Sequence, residues 1–330
     1  MPAEWSPHRG CLVSWPCNSR TFRNYIKEAE QAYASIISAI GRFEQVTVIV
    51  DPSTLPSARS NLKGNPRLMP INLDDSWIRD NGPIFVSSPT EEVSIVDFGF
   101  NAWGKKSSFL KDNEVPRILS DEFGIRRYEA PMVLEGGSVS VDGEGTLLTT
   151  EQCLLNPNRN PGLTKDEIEK NLREYLGVKK VIWLGRGQAN DITDGHVDGV
   201  ACFCAPKTVM VARTKNESDV NFDTLEENRA LLETSTDCKG RSIEIVDIVQ
   251  PGPRDYLGLQ ITPGYINHYV ANDGIVAPEF GIPEDALAAE TLRSFYSDRQ
   301  VVFVRTSALE IGGGGIHCIT QQIPDGAFAR

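Results

Sequence analysis

The sequence predicts an α/β fold made of five repeated units that close on themselves. Five amphipathic helical segments are each followed by a short strand rich in β-branched residues. These strands begin near residues 45, 125, 179, 242 and 300, a coarse repeat of the length found in arrays and closed rings. Turn signals at residues 142–145 and 205–207 add hairpins to the helix–strand pairs.

The helices are predicted from apolar residues that recur at helical spacing. In the first helix, Ala32, Ile36 and Ile40 lie on one side, and the third helix has Thr164 and Glu167 at capping-box spacing. The predicted pairs of helix and strand are 28–42 with 45–50, 111–123 with 125–129, 164–175 with 179–184, 221–234 with 242–246, and 283–296 with 300–304.

A doubly wound α/β sheet would also alternate helices and strands. The hairpins argue against it, and so does the lack of a nucleotide fingerprint. No Lys-Ser/Thr follows the glycine run 312–315, and Gly185-Arg-Gly187 lacks a third glycine. Dividing 330 residues by five gives 66 residues per unit. We therefore predict one domain over residues 1–330 rather than two.

The composition restricts the possible partners. The formal charge of −12 argues against nucleic acid or an anionic membrane and suits a cationic small molecule. No apolar run is long enough to cross a bilayer. The residues after Met1 do not form an apolar segment, so we expect no secretory signal. The seven cysteines are odd in number, which favours reduced thiols and a cytoplasmic location over a disulfide framework.

Four segments that follow the helix–strand units are rich in polar residues that have no evident part in forming the helices, the strands or the apolar core. In a closed ring these segments would converge at the axis. They are residues 74–83, 135–137, 194–198 and 312–318.

His196 and Asp198 would share one side of a strand. A carboxylate beside an imidazole can hold a substrate cation or raise the pKa of the histidine, while the alternative is a hydrogen-bonded structural histidine. Cys202 and Cys204 continue the same alternation, but one extended strand spreads these four side chains over roughly 25 Å. They cannot surround a tetrahedral ion, so we predict no metal there.

Cys318 follows the four-glycine turn and is a candidate nucleophile if a cation such as His196 makes it a thiolate. The alternative is a buried free cysteine. The adjacent His317 would face the other way on a strand, which suggests a structural role. Trp77 and Asp80 together offer the aromatic face and carboxylate that a planar guanidinium requires; the alternative is a core tryptophan beside a surface aspartate.

Taken together and in order, these segments resemble the agmatine deiminase family of the guanidine-modifying pentein superfamily. The likeness runs from Pro2 to Gln322. The motifs that carry it are Trp77-Ile-Arg-Asp80-Asn-Gly-Pro, Phe100-Asn-Ala-Trp-Gly104, Leu134-Glu135-Gly-Gly-Ser138, Val141-Asp-Gly-Glu-Gly-Thr146, Asn156-Pro-Asn-Arg-Asn160, Asp194-Gly-His196-Val-Asp198 and Gly312-Gly-Gly-Gly-Ile-His-Cys318.

The resemblance implies a pentein five-bladed α/β propeller with pseudo-fivefold symmetry. It also implies cofactor-free hydrolysis of agmatine to N-carbamoylputrescine and ammonia, in putrescine biosynthesis. The implied roles are Cys318 as nucleophile, His196 as general acid and base, Asp80 and Asp198 as holders of the guanidinium, Glu135 as assistant to His196 or the guanidinium, and Trp77 and Gly315 as pocket residues.

Two positions depart from the family pattern. The segment 187–195 is shorter and less acidic than in plant-type members, and the resemblance places it near the mouth that receives the substrate tail. Gly315 stands where many relatives have Asn. Free or peptidyl arginine is therefore an alternative substrate, and a non-catalytic pentein and an amidinotransferase are alternative functions. Relatives suggest a homo-oligomer by analogy.

Overall fold

Six small β-sheets, one of them a two-stranded hairpin, and the helices between them make up the computed structural model, which describes residues 1–330. The strands are β1 His8–Ser14, β2 Val46–Val50, β3 Arg67–Pro70, β4 Ile84–Ser87, β5 Glu92–Gly99, β6 Arg127–Val133, β7 Ser140–Val141, β8 Thr146–Thr150, β9 Lys180–Leu184, β10 Ala201–Ala205, β11 Thr208–Arg213, β12 Glu244–Val249, β13 Arg254–Tyr256, β14 Leu259–Ile261, β15 Tyr269–Val270, β16 Gly274–Glu279, β17 Gln300–Arg305, β18 Thr320–Pro324 and β19 Ala327–Phe328.

Ten α-helices and four short 3₁₀ turns connect these strands. The helices are α1 Ile26–Ile40, α2 Leu55–Asn61, α3 Ile78–Asn81, α4 Ala102–Lys105, α5 Val115–Phe123, α6 Glu151–Leu154, α7 Lys165–Leu176, α8 Phe222–Glu233, α9 Glu284–Phe295 and α10 Ser307–Glu310. The 3₁₀ turns are Asp112–Glu114, Gly136–Ser138, Val197–Gly199 and His317–Ile319.

The same three-strand unit occurs five times. A first strand pairs antiparallel with a second, and a third pairs parallel with the second after an intervening helix. Four units follow in chain order: β4-β5-α5-β6, β7-β8-α7-β9, β10-β11-α8-β12 and β15-β16-α9-β17. The predicted repeat of five helix–strand units is confirmed.

The remaining unit joins the two ends of the chain. β1 pairs antiparallel with β18 and parallel with β2, which follows α1. The last long strand thus supplies the first strand of the first unit, as a chain that closes on itself requires. The hairpin of β13 and β14 stands outside the units.

Each long helix buries one side, as its spacing predicts. In α1 the buried residues include Ala29, Tyr33, Ile36 and Ile40. In α7 the Thr164 side chain accepts from the amide of Glu167, and the Glu167 carboxylate accepts from the amide of Thr164. The predicted capping box is therefore confirmed. No helix of the chain is both long and apolar enough to cross a membrane.

The local structure at the polar segments differs from the sequence prediction. Asp198 lies in a 3₁₀ turn rather than a strand, and His196 directly precedes that turn. His317 and Cys318 begin another 3₁₀ turn, so their side chains do not alternate as on a strand. Asp80 lies in the four-residue helix α3, which agrees with the turn-like segment predicted to end at Gly82-Pro83. At both 3₁₀ turns the glycine-rich and polar sequence has low strand propensity, so the chain takes a turn conformation there.

Candidate active site

Five short segments, one directly ahead of the first strand of each unit, supply the polar residues of the candidate active site. They precede β4, β7, β10, β15 and β18 and carry Asp80, Glu135, Asp198, Asn267 and Cys318 respectively. Because the units repeat the same connection, equivalent segments are delivered to equivalent places. The contacts described below connect all five.

Asp80 is held by two neutral donors. Its side chain is buried, and it accepts from Trp103 Nε1 at 2.9 Å and from the Gly137 amide at 3.0 Å. Trp103 has a left-handed backbone (φ 53), a conformation that is rare for a bulky residue and concentrated at functional sites. Asp80 Oδ1 lies 3.7 Å from His196 Nδ1. Asp80 is thus a fixed carboxylate facing an imidazole.

Asp198 joins the nucleophile candidate to a second histidine. Its Oδ2 lies 2.8 Å from His317 Nδ1 and accepts from Asn267 Nδ2 at 3.1 Å. Its Oδ1 lies 4.0 Å from His196 Nδ1. The prediction that His317 faces away from the site is therefore wrong, because the 3₁₀ turn directs its imidazole to Asp198. His317 Nε2 lies 2.8 Å from Glu4 Oε1, which ties the turn to the start of the chain.

The Cys318 thiol lies beside this carboxylate and an amide. Its Sγ is 3.6 Å from Asp198 Oδ2 and 3.3 Å from Asn267 Nδ2. The His317 amide donates to Asn267 Oδ1 at 2.9 Å, and this fixes which end of the Asn267 amide faces the sulfur. Asn267 is thus a site residue that sequence reasoning missed. Five units with only four polar segments were the signal that a fifth segment, ahead of β15, remained to be found.

Glu135 is fully buried and bound to Arg159. Arg159 Nε donates to Glu135 Oε1 at 2.7 Å, and Arg159 Nη1 donates to Asp194 Oδ2 at 2.7 Å. Arg159 thereby links Glu135 to the 187–195 segment. Its place in the Asn156–Asn160 motif was visible in the sequence, but its partners were not. Glu135 Oε2 and both ring nitrogens of His196 have no hydrogen-bond partner.

Glycine keeps the centre of the site open. A Cβ on Gly137 would lie 2.7 Å from His196 Nδ1, 2.8 Å from Asp80 Oδ1 and 3.0 Å from Asp198 Oδ2. A Cβ on Gly314 would lie 2.6 Å from the Trp77 ring and 3.2 Å from Cys318 Sγ. The space among the two carboxylates, the imidazole and the thiol therefore exists because these positions lack side chains.

The buried charges shift one another's pKa values. Burial, then the neighbouring carboxylates Asp198 and Glu135, raises the pKa of Asp80 to about 6 against the opposing charge of His196. For Asp198, burial is outweighed by the hydrogen bond and charge of His317, and its pKa is lowered. At least one anionic carboxylate therefore faces the site at neutral pH.

His196 and Cys318 both have raised pKa values. Burial opposes the imidazolium, but the charge of Asp80 and contact with Cys153 outweigh it and raise the pKa of His196 well above its usual range. Burial and the charges of Asp198 and Asp80 raise the pKa of the Cys318 thiol well above its usual range. Without a bound cation the sulfur is therefore held as a thiol.

Two cavities reach Cys318. One, of about 210 Å³, is lined by the acids Asp191, Asp198 and Glu310 and by no Lys, Arg or His. The other, of about 280 Å³, is lined by Trp77, Asp80 and Trp103 and by the cations Arg20, Arg23 and Lys106. Both are bordered by Ile192 and by Gly313, and a Cβ on Gly313 would lie 3.1 Å from Ile192. The 187–195 segment thus lies between the two openings.

Two groups of side chains have the composition of a metal site. Asp142, Glu144 and Asp237 form one, but Lys239 and Arg241 neutralise it with ion pairs. Glu135, Cys153 and His196 form the other, and all three are buried.

Comparison with known proteins agrees with this geometry. The sequence model of the Porphyromonas-type peptidyl-arginine deiminase family matches residues 1–324. The chain belongs to this family. An agmatine deiminase of Pseudomonas aeruginosa (strain LESB58) is 42% identical over an alignment 349 positions long, which covers 98% of this chain and 95% of that protein.

Solved structures of the family have the same fold. An Enterococcus faecalis agmatine deiminase, described as catalysing its reaction, superposes with a TM-score of 0.94 at 34% identity and covers 98% of this chain and 95% of its own. A C. jejuni agmatine deiminase with substrate bound has a TM-score of 0.90 at 28% identity, with coverages of 99% and 96%. The predicted pentein fold and the family resemblance are confirmed.

The structure brings every predicted site residue of this deiminase-family chain into one region. Asp80, His196, Asp198 and Cys318 are linked by the distances above, and Glu135 lies beside His196. Trp77 and Gly315 line the cavities that reach Cys318. A Cβ on Gly315 would lie 2.5 Å from Asn267 Oδ1, so glycine there leaves room for the Asn267 side chain.

Proposed function

We propose that this protein is an agmatine deiminase that converts agmatine and water to N-carbamoylputrescine and ammonia through an adduct on Cys318. One observation carries the proposal: two buried carboxylates, Asp80 and Asp198, face the same imidazole beside the Cys318 thiol. The family membership and the agmatine deiminases among its relatives support it.

The first step is capture of the guanidinium. Asp80 and Asp198 accept N–H bonds from its edges in the space that Gly137 leaves open. Fixing the planar cation there places its central carbon near the sulfur and removes much of the entropic cost of attack. Trp77, in the same cavity as Asp80, covers the bound group.

Substrate charge then activates the thiol. The carboxylates that raise the pKa of Cys318 are neutralised by the guanidinium, so the pKa of the thiol falls when substrate binds. The thiol proton is lost to solvent as the substrate cation binds, and the raised pKa of His196 keeps the imidazole protonated for the next step. Asn267 Nδ2, 3.3 Å from the sulfur, stabilises the thiolate.

Two half-reactions follow. The Cys318 sulfur forms a bond to the guanidinium carbon, one C–N bond breaks, and His196 gives its proton to the leaving nitrogen, which departs as ammonia. Neutral His196 then takes a proton from water as the water oxygen attacks the adduct. The C–S bond breaks as the adduct hydroxyl gives its proton to the sulfur, the ureido product leaves, and the Cys318 thiol is restored. Glu135, held by Arg159, stabilises the charged form of His196.

The charge of the first cavity supports a substrate with a cationic tail. Its charged residues are all acids, and no hydrogen bond or neighbouring charge offsets the burial of the Glu310 carboxyl. Burial raises the pKa of Glu310, and a bound ammonium would stabilise its ionised form. Agmatine ends in an ammonium group, which this lining would attract.

A second candidate function is hydrolysis of free or peptidyl arginine. Arg20, Arg23 and Lys106 border the second cavity and would suit a substrate carboxylate. The decisive measurement is ammonia release from agmatine, arginine and a peptidyl-arginine, assayed side by side. Agmatine should be turned over with the highest kcat/KM. Turnover of the peptide without turnover of agmatine would refute the proposal.

Two further tests separate the remaining alternatives. Mass spectrometry of the intact protein after the reaction is quenched should reveal an adduct on Cys318. A non-catalytic pentein would not form this adduct. Product analysis with added amine should give only the ureido product, whereas an amidinotransferase would transfer the amidino group to the amine.

We also propose a cytoplasmic location and a homo-oligomer. All seven cysteines are free, which supports a reducing compartment. Oligomerisation rests on analogy with the family, and size-exclusion chromatography with light scattering tests it. The single domain over residues 1–330 stays a prediction, and a single cooperative unfolding transition would support it.

A further inference from the structure

A second cysteine lies beside the proposed acid–base pair and takes no part in the mechanism above. Cys153, in the short helix α6, is fully buried. One ligand atom each of Cys153, Glu135 and His196 lie within 4.8 Å of one another. A thiol, a carboxylate and an imidazole thus meet at one point inside the protein.

Two of these three groups have polar atoms without a partner. Glu135 uses Oε1 for Arg159, and its Oε2 has none. Both ring nitrogens of the 2% exposed His196 also have none. Buried polar atoms are usually satisfied, so these atoms are available to a ligand that enters the site.

The donor set selects the class of ligand. Sulfur, nitrogen and oxygen from Cys, His and Glu are the ligands that Zn²⁺ prefers, whereas Mg²⁺ and Ca²⁺ prefer all-oxygen sites. Tetrahedral zinc needs ligand atoms about 3.5 Å apart, so the side chains must draw together by up to about 1.3 Å.

The metal would reach this point through the substrate cavity. Asp80 lines the second cavity, of about 280 Å³, and its Oδ1 lies 3.7 Å from His196 Nδ1. A zinc ion bound to His196 would remove the group that carries protons in the proposed reaction and would place positive charge where the guanidinium binds. Metal and substrate should therefore exclude each other.

We propose that Glu135, Cys153 and His196 form an inhibitory zinc site. Binding of the metal is independent of the proposed deiminase activity, while the inhibition rests on it. The two parts are therefore tested separately.

Binding is tested with Co²⁺ on the metal-stripped full-length protein, in a Cys318→Ala background that removes the proposed nucleophile. Cobalt bound to a cysteine thiolate gives a near-ultraviolet charge-transfer band. The band should appear in Cys318→Ala and be lost on adding Cys153→Ser. It should persist on adding Cys11→Ser, a matched control since Cys11 is also fully buried but lies outside the site. No band in Cys318→Ala, or a band that survives Cys153→Ser, overturns the proposal.

A second variant guards against misfolding. Should Cys153→Ser fail to give a native circular dichroism spectrum, His196→Gln in the Cys318→Ala background replaces it. That variant should weaken cobalt binding by at least about tenfold. Unchanged affinity would overturn the proposal.

Inhibition is tested with Zn²⁺ on proteins that retain Cys318. The apparent inhibition constant should rise with agmatine concentration, and it should be at least about tenfold higher in Cys153→Ser than in Cys11→Ser, each relative to its own zinc-free rate. Equal inhibition of the two variants contradicts the inhibitory role. Absence of turnover of every guanidine in zinc-free protein refutes the proposed function, but leaves the cobalt measurement valid.

Discussion

Asp198 Oδ2 lies 2.8 Å from Nδ1 of His317, the residue that immediately precedes the proposed nucleophile. The same oxygen lies 3.6 Å from Cys318 Sγ. One carboxylate oxygen therefore faces both side chains of consecutive residues, which only a tight turn permits. The His317–Ile319 turn, held at its other side by Glu4, fixes the position of the thiol relative to the carboxylate.

Replacing the nucleophile should abolish the reaction. Cys318→Ala should lower kcat by roughly a factor of 10⁴ or more because no other group can form the adduct. Ammonia release from agmatine measures the effect, and an unchanged circular dichroism spectrum shows that the fold is intact. Cys238→Ala is a control at a half-buried thiol away from the site. Retained activity in Cys318→Ala would refute the mechanism.

Removing the charge of Asp80 should weaken guanidinium capture. Asp80→Asn keeps the shape but leaves the substrate cation with one carboxylate fewer, and losing one partner of a buried ion pair costs about 3–5 kcal/mol. We expect kcat/KM for agmatine to fall by at least about a hundredfold. Asp121→Asn changes an exposed acid and should have no effect. An unchanged kcat/KM in Asp80→Asn would show that Asp80 does not hold the substrate.

Asp80 should also make stability depend on pH. Its pKa is about 6 in the folded protein against an ordinary value of 3.8, so between these values the native state binds more protons than the unfolded state. The contribution of Asp80 to the free energy of unfolding therefore falls as the pH rises from about 4 to 6, and it stays lower at higher pH. At pH 8, without substrate, Asp80→Asn should be more stable than the parent by roughly 2–3 kcal/mol. Urea unfolding at pH 4 and pH 8 measures the free energy of unfolding of both proteins. If Asp80→Asn differed from the parent by the same amount at both pH values, the prediction would be contradicted.

Filling the space at Gly137 should block the substrate. Gly137→Ala would place a methyl group 2.7 Å from His196 Nδ1 and 2.8 Å from Asp80 Oδ1, where the guanidinium is proposed to lie. Agmatine binding, measured by calorimetry in the Cys318→Ala background, should become undetectable. Gly162→Ala is a matched control, because a Cβ there meets nothing within 4 Å. Normal binding by Gly137→Ala would mean that the substrate lies elsewhere.

Glu310 should select for a cationic tail. Glu310→Gln should raise KM for agmatine by roughly tenfold, the effect of one lost charge pair of about 1.4 kcal/mol. The same substitution should have little effect on KM for butylguanidine, because the tail of that substrate is neutral. Glu122→Gln, at an exposed acid of α5, should change neither. Equal losses for both substrates would indicate a general disturbance of the cavity rather than recognition of the ammonium.

Several local features were predictable because they depend on near neighbours in the chain. The buried side of α1 follows from the spacing of Ile36 and Ile40, and the start of α7 follows from Thr164 and Glu167. The motifs around Asp80, Glu135, His196 and Cys318 were also recognisable from residue order alone. Their local conformation was not, because short polar turns take their shape from the strands they precede.

By itself, the sequence determined the five helix–strand units, the family and the set of residues that could perform the chemistry. Only the tertiary structure decided that Asn267 meets Cys318, that His317 faces Asp198, and that Cys153 lies beside His196. The physical reason is that these contacts join residues 43 to 119 positions apart that belong to different units, and no local pattern records where separate units meet. The charges that raise the pKa of Cys318 arise in the same way, from carboxylates delivered by other units of the fold.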